Sequence, residues 1–178
     1  VRKLASIGTQ DNGEEYYENT GWYTNRGGDW GSRMEFDYNA DNSVYYLENG
    51  ERRPFTPQSG SNSYNSPFAE TNNSRIAFDA DNKDLALLAK DTIWMSTNLS
   101  TTTPTWTAIA PNNNAIRDIA ISTANNNTAY SIHSGKFLRI ENLNSSPTVT
   151  STTPPSAAGT RGSVATVKQK DSVVYLSC

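Results

Sequence analysis

The stretch "SRIAFDADNKDLALLAKDT", residues 74–92, decides the fold. An alternating run through Ile76 and Phe78 is broken by Asp79, Asp81, Asn82 and Asp84, and a second apolar run follows from Leu85. Asp and Asn hydrogen-bond their own backbone in turns, so a cluster of them between two short apolar runs reads as two strands joined by a turn. The layout recurs. It stands earlier as "SRMEFDYNADNSVYYLENG", residues 32–50, and later as "IRDIAISTANNNTAYSIHSG", residues 116–135, and "GSVATVKQKDSVVYLSC", residues 162–178. With Phe36, Phe78, Ile121 and Thr166 as equivalent anchors, the copies are about 42, 43 and 45 residues apart, a spacing characteristic of repeat architectures. Tyr45, Leu87, Tyr130 and Tyr175 each follow their anchor at the same offset of nine.

Each copy is expected to continue into a second hairpin. Its turns are "ENG" at 48–50, "KDT" at 90–92 and "HSG" at 133–135. "STNLSTTTPTWT", residues 96–107, matches "IENLNSSPTVT", residues 140–150, through Asn98/Asn142, Leu99/Leu143, Pro104/Pro147 and Trp106/Val149. That adds a third strand, a polar loop and a fourth strand, with Trp22 and Trp106 as fourth-strand aromatics. The copy after Gly50 keeps neither "NL" nor "PTW", so irregular outer strands are expected there. Four antiparallel strands per unit at this spacing describe the blade of a β-propeller, and a β-sandwich does not predict a fixed repeat of this length. No segment sustains a 3.6-residue apolar period.

The expected fold class is therefore all-β: a propeller arc of about four four-stranded antiparallel blades, belonging to a larger ring. The divisions are a partial blade at 1–30, blades at 31–73, 74–114 and 115–159, and the start of another at 160–178. Near the beginning, "LASI" reads as the second strand of the partial blade and "QDNG", residues 10–13, as its hairpin turn, with Gly13 supplying positive φ. An arc presents blade faces that the rest of a ring or a partner protein covers.

Composition narrows the partners. The chain has 178 residues, 35% hydrophobic and 19% charged, with formal net charge −3. A pI near 5.1 offers no basic face for phosphates, which argues against nucleic acid. One cysteine, Cys178, excludes an internal disulfide framework, and one histidine with one cysteine leaves no zinc site of ordinary spacing. No apolar run approaches membrane-spanning length.

"GTQDNG" at 8–13, "GGD" at 27–29, "FDYNADNSVYY" at 36–46 and "STNLSTTTPTWT" together resemble the sortilin-like BNR-repeat (Asp-box) propellers of large exported proteins in the Bacteroidota, many of which look like type IX secretion cargo. The resemblance covers nearly the whole chain. It implies an extracellular or cell-surface setting and a non-catalytic platform for protein or glycan contacts. The alternative it carries is a section of a glycoside hydrolase propeller, sialidase-like or xyloglucanase-like. The family's box, Ser-x-Asp-x-Gly-x-x-Trp, is a turn that stabilises a hairpin; here Ser96-x-Asn98 with Trp106 approximates it, with Asn for Asp, no glycine and an insertion.

Two residue groups are candidate binding sites. Gln10, Asp11, Asn12 and Asp29 supply the oxygen ligands that a hard cation such as calcium takes, against the alternative that Asp11 and Asn12 are turn residues. No cofactor or resident metal is expected. Arg33, Arg75, Arg117 and Arg161 each lie near the start of a first strand, and in sialidases, which share the Asp-box superfamily, an arginine cluster grips a carboxylate. Arg33 and Arg75 precede their anchors by three residues, Arg117 by four and Arg161 by five, so alternation turns some of them to opposite faces. The alternative is one arginine per blade paired with a nearby acid such as Asp37, Asp79 or Asp118. Tyr16, Tyr17, Tyr45, Tyr46 and Tyr130 occupy strand positions that packing explains, no carboxylate pair stands out, and His133 reads as a hairpin residue.

Overall fold

A computed structural model describes residues 4–9, 13–18, 21–26, 34–37, 43–46, 51–53, 62–63, 65–68, 74–111, 115–133, 135–153, 162–167 and 170–177; side chains are described at 65–68, 74–111, 115–133, 135–153, 162–167, 170 and 173–176. Among the described residues every regular element is a strand, all pairing is antiparallel and there is no helix. Two compact units divide the chain, Val1–Asn72 and Asn73–Cys178.

The first unit holds two sheets. Strands β1 (Leu4–Thr9), β2 (Gly13–Glu18) and β3 (Gly21–Arg26) form a three-stranded meander in which Trp22 pairs with Tyr17. The expected second strand at "LASI" is thus β1. Strands β4 (Met34–Asp37), β5 (Ser43–Tyr46), β6 (Glu51–Arg53) and β7 (Asn62–Ser63) form a four-stranded sheet. Its outer strands are three and two residues long, the irregularity expected where "NL" and "PTW" are missing.

The second unit holds a four-stranded sheet of β8 (Arg75–Phe78), β9 (Ala86–Ala89), β10 (Thr92–Ser96) and β11 (Thr107–Pro111). A second has β12 (Ile116–Ile121), β13 (Thr128–His133), β14 (Lys136–Glu141) and β15 (Thr148–Thr152), and a hairpin follows from β16 (Ser163–Val167) and β17 (Lys170–Ser177). The third strand, polar loop and fourth strand read from "STNLSTTTPTWT" and "IENLNSSPTVT" are present in both sheets. Trp106 lies just ahead of β11 rather than in it.

One register runs through all four copies. Each anchor pairs with the residue eight positions on: Phe36 with Val44, Phe78 with Ala86, Ile121 with Ala129, Thr166 with Val174. The nine-residue offset then places Tyr45, Leu87, Tyr130 and Tyr175 opposite the residue before each anchor: Glu35, Ala77, Ala120 and Ala165. A one-residue slip would turn every side chain to the other face, so the shared register gives the copies of the second unit equivalent faces.

The core of the second unit lies between its two four-stranded sheets. Ala77, Leu87, Ala89 and Ile93 of the first meet Ile119, Ile121, Ala129, Leu138 and Ile140 of the second. First strands neighbour one another in series, β8 beside β12 and β12 beside β16. Because side chains alternate, Tyr130 sits on the face of its sheet opposite to Ala129, and β13 lies against β16 there. Burial of the equivalent residues follows the series: Leu87 is 0% exposed, Tyr130 4% and Tyr175, in the last hairpin, 65%.

Candidate functional site

The first strands begin in a set of polar links. The Arg75 Nε donates to the carbonyl oxygen of Arg117 at 2.8 Å, and its Nη1 donates to the carbonyl oxygen of Ser74 at 2.8 Å. Arg117 owes its position to a β-bulge. The register with β13 shifts between Ile116 and Asp118, so Arg117 is an extra residue, which bends a strand locally. This explains the offsets of three and four in the sequence: the register equivalent of Arg75 in the next sheet is Asp118, and Arg117 is inserted before it. Arg75 and Arg117 are brought together by a side chain reaching a backbone carbonyl. The Arg117 Nε is itself buried without a hydrogen-bond partner.

Asp118 has the corresponding role in the following sheet. Its Oδ2 accepts from the Val164 amide at 2.9 Å and its Oδ1 from the Ile119 amide at 3.0 Å. The residue three before the anchor therefore reaches the next sheet's first strand twice over, once as a donor and once as an acceptor. Thr166 adds a hydroxyl donated to the Ile121 carbonyl at 3.3 Å. Ser131, fully buried, donates to the Asp118 carbonyl at 3.0 Å. His133 is buried on the same face of β13 as Ser131, and burial, with a smaller push from the Lys136 charge, lowers its pKa below the ordinary imidazole value.

The opposite end of the sheets carries a second set, also repeated. Asp79 Oδ1 accepts from the amides of Asp81 (2.7 Å) and Asn82 (2.9 Å), and Ser122 Oγ accepts from those of Ala124 (3.3 Å) and Asn125 (3.2 Å). Asn82 and Asn125 then accept from the amides of Asp84 (3.0 Å) and Asn127 (3.1 Å). Those last two residues clamp the outer loop. The Leu99 amide donates to the Asp84 carbonyl and the Leu143 amide to that of Asn127, at 3.1 and 3.2 Å. The Asp84 carboxylate accepts from both the amide and the hydroxyl of Ser100, and the Asn127 Oδ1 from the Asn144 amide at 2.9 Å. Leu99 and Leu143 are buried beneath. The Ser100 hydroxyl is the main reason that the Asp84 pKa is lowered; desolvation opposes it, and the Ser100 amide and Lys83 add to it.

Asn98 holds the loop from within. Its Oδ1 accepts from Ser96 Oγ (3.2 Å), the Thr105 amide (2.9 Å) and Thr105 Oγ1 (3.2 Å), tying the end of β10 to the approach to β11. Asn142, its counterpart, has φ of 62° and donates from Nδ2 to Thr148 Oγ1 at 3.3 Å.

Of the residues singled out in the sequence, Arg75 and Arg117 fall in this geometry, while Gln10, Asp11, Asn12, Asp29, Arg33 and Arg161 lie outside the described residues. Sequence reasoning does not single out the clamps at Asp84 and Asn127. Their signal is present: both stand six residues after an anchor, with an amide or carboxylate oxygen just before the second strand. Among the described residues no three His, Cys, Asp or Glu converge where they could hold a metal ion, and no helix is long and apolar enough to cross a membrane. Hydrogen bonds of Arg75, Asp79, Asp84, Asn98 and Asp118 run to backbone and fix loops and strand ends. No protein-family model matches the chain, and no curated protein matches it.

Proposed function

We propose that the chain is a β-propeller arc acting as a non-catalytic scaffold of a secreted or cell-surface protein, with protein or glycan partners. The observation that carries this reading is the register shared by four copies, together with first strands that neighbour one another in series in the second unit. Serial packing of similar four-stranded sheets through their faces is the construction principle of propellers. The resemblance of "GTQDNG", "GGD" and the outer loops to sortilin-like BNR-repeat propellers supports the exported setting. The hydrogen bonds of Asp79, Asp84 and Asn98 hold loop backbone, which supports a platform whose loops are fixed.

Two assays of the same preparation test it. The chain is screened for retention on an array of neutral and acidic glycans and on immobilised surface proteins, and for hydrolysis of fluorogenic glycosides. Retention without turnover is the expected result. Turnover that survives purification to homogeneity would overturn the non-catalytic reading and favour a glycoside hydrolase arc.

A further inference from the structure

Charge is distributed unevenly over the second unit. No charged residue occurs in residues 92–116 or 142–160, the stretches that supply the outer loop and outermost strand of each four-stranded sheet. In their place stand hydroxyls. Eight of the twelve residues at 96–107 and eight of the twelve at 145–156 are serine or threonine, with Pro104, Pro147, Pro154 and Pro155 among them. Ser/Thr-rich sequence with proline is the composition of O-glycosylated segments.

The structure places many of these hydroxyls where an enzyme reaches them. Every residue of β15, Thr148 to Thr152, is exposed, as are Thr153 and the loop residues Thr101, Thr102 and Thr103. Some hydroxyls are engaged: Ser100 with Asp84, Thr101 with the Asn98 carbonyl, Thr148 with Asn142. Those of Thr102, Thr103, Thr150, Ser151, Thr152 and Thr153 enter no hydrogen bond among the described residues. Among the described residues β15 is also the outermost strand of its sheet and pairs with β14 alone. An open strand edge is a template for pairing with another chain, and proteins blunt it with lysine, charge, proline or a bulge. Here the edge strand is Thr-Val-Thr-Ser-Thr: high in β-propensity, without charge and without an internal proline. Its own residues supply neither charge nor proline to blunt the edge, and they carry the groups on which another protection can be built.

We propose that the outer rim of the second unit is a site of O-glycosylation, centred on Thr150, Ser151, Thr152 and Thr153, and that the sugars shield the β15 edge. The co-reactant is a sugar activated as a glycosyl phosphate. The threonine or serine hydroxyl oxygen attacks the anomeric carbon, the anomeric carbon–oxygen bond to the phosphate breaks, the leaving phosphate keeps that electron pair, and the hydroxyl proton passes to a base of the transferase.

The experiment is intact and fragment mass spectrometry of the protein purified from the organism that makes it. The peptide spanning 148–153 is expected to exceed its unmodified mass by whole sugar residues, mild alkaline β-elimination removes the excess, and fragments retaining the sugar place it within 148–153. A Thr150→Ala/Ser151→Ala/Thr152→Ala/Thr153→Ala variant made in the same organism is expected to lose that increment while keeping its circular dichroism spectrum. An unmodified 148–153 peptide from the native source overturns the proposal, whether the chain is then monomeric or paired through β15. So does an increment that persists undiminished in the quadruple variant.

Discussion

The Asp84 carboxylate joins two loops that are sixteen residues apart, accepting from the amide and the hydroxyl of Ser100. Hydrogen bonds to a charged acceptor are worth more than neutral ones, and partial exposure here reduces that, so Asp84→Ala is expected to cost about 1 kcal/mol in urea unfolding. Asp84→Asn is expected to keep most of the stability, because Asn127 performs the same clamp with an amide oxygen. The acid window fixes the mechanism. The folded pKa of Asp84 lies below its ordinary 3.8, so its contribution is full above that value and is lost as pH falls through the lowered folded one. The gap between wild type and Asp84→Ala should close in that range. His133 has a separate window: its folded pKa lies below 6.5, so between the two values the unfolded chain binds more protons and stability falls as pH drops from about 6.5. In His133→Gln that slope should flatten, as read from urea midpoints at a series of pH values. Arg75 is a third test of the residue scale. Its Nε and Nη1 use two donors of a planar fork, so Arg75→Lys, with one compact ammonium, is expected not to restore the stability lost in Arg75→Ala.

At the scale of elements, the outer loops depend on one buried leucine each. Leu99 and Leu143 are 0% and 1% exposed and stand between polar residues that fix their backbones, so truncation leaves a cavity that fixed loops cannot close. Leu99→Ala and Leu143→Ala are each expected to cost roughly 2–5 kcal/mol in urea unfolding, whereas Thr102→Ala, at an exposed position of the same loop, should change stability by less than about 0.5 kcal/mol. These leucines also show what the sequence made legible. The "NL" match marks a repeated exit from the third strand, and the constant nine-residue offset from the anchor marks a common register, because alternation and turn chemistry are local properties. The bulge at Arg117 was not legible as such. In the sequence it shows only as an offset of four beside the three of Arg33 and Arg75, and the cause is a backbone insertion stabilised by Arg75 from the neighbouring sheet, a contact 42 residues away in sequence. The links from Asp118 to Val164 and from Thr166 to Ile121 were hidden for the same reason, since they join strands 46 and 45 residues apart.

At the scale of the molecule, one repeated position reports on how the sheets follow one another. Leu87, Tyr130 and Tyr175 hold the same register in β9, β13 and β17, yet exposure rises from 0% and 4% to 65%. Identical strand register cannot produce that difference; the presence of a following sheet can. Leu87 faces the sheet of β12 to β15 across the core, and the face bearing Tyr130 meets the β16–β17 hairpin. Tyr130 is further held by stacking on Phe137, with ring centroids 5.7 Å apart and planes 12° from parallel. Nitration of the intact chain with tetranitromethane, mapped by peptide mass spectrometry, is therefore expected to modify Tyr175 rapidly and leave Tyr130 unmodified until the chain unfolds. Val164→Asp, which places a carboxylate at a buried position of β16, should loosen the hairpin and raise the reactivity of Tyr130, with Tyr175 already reactive. Equal nitration of both tyrosines in the folded wild-type chain would contradict serial packing, since it would mean that the hairpin does not cover the face it follows.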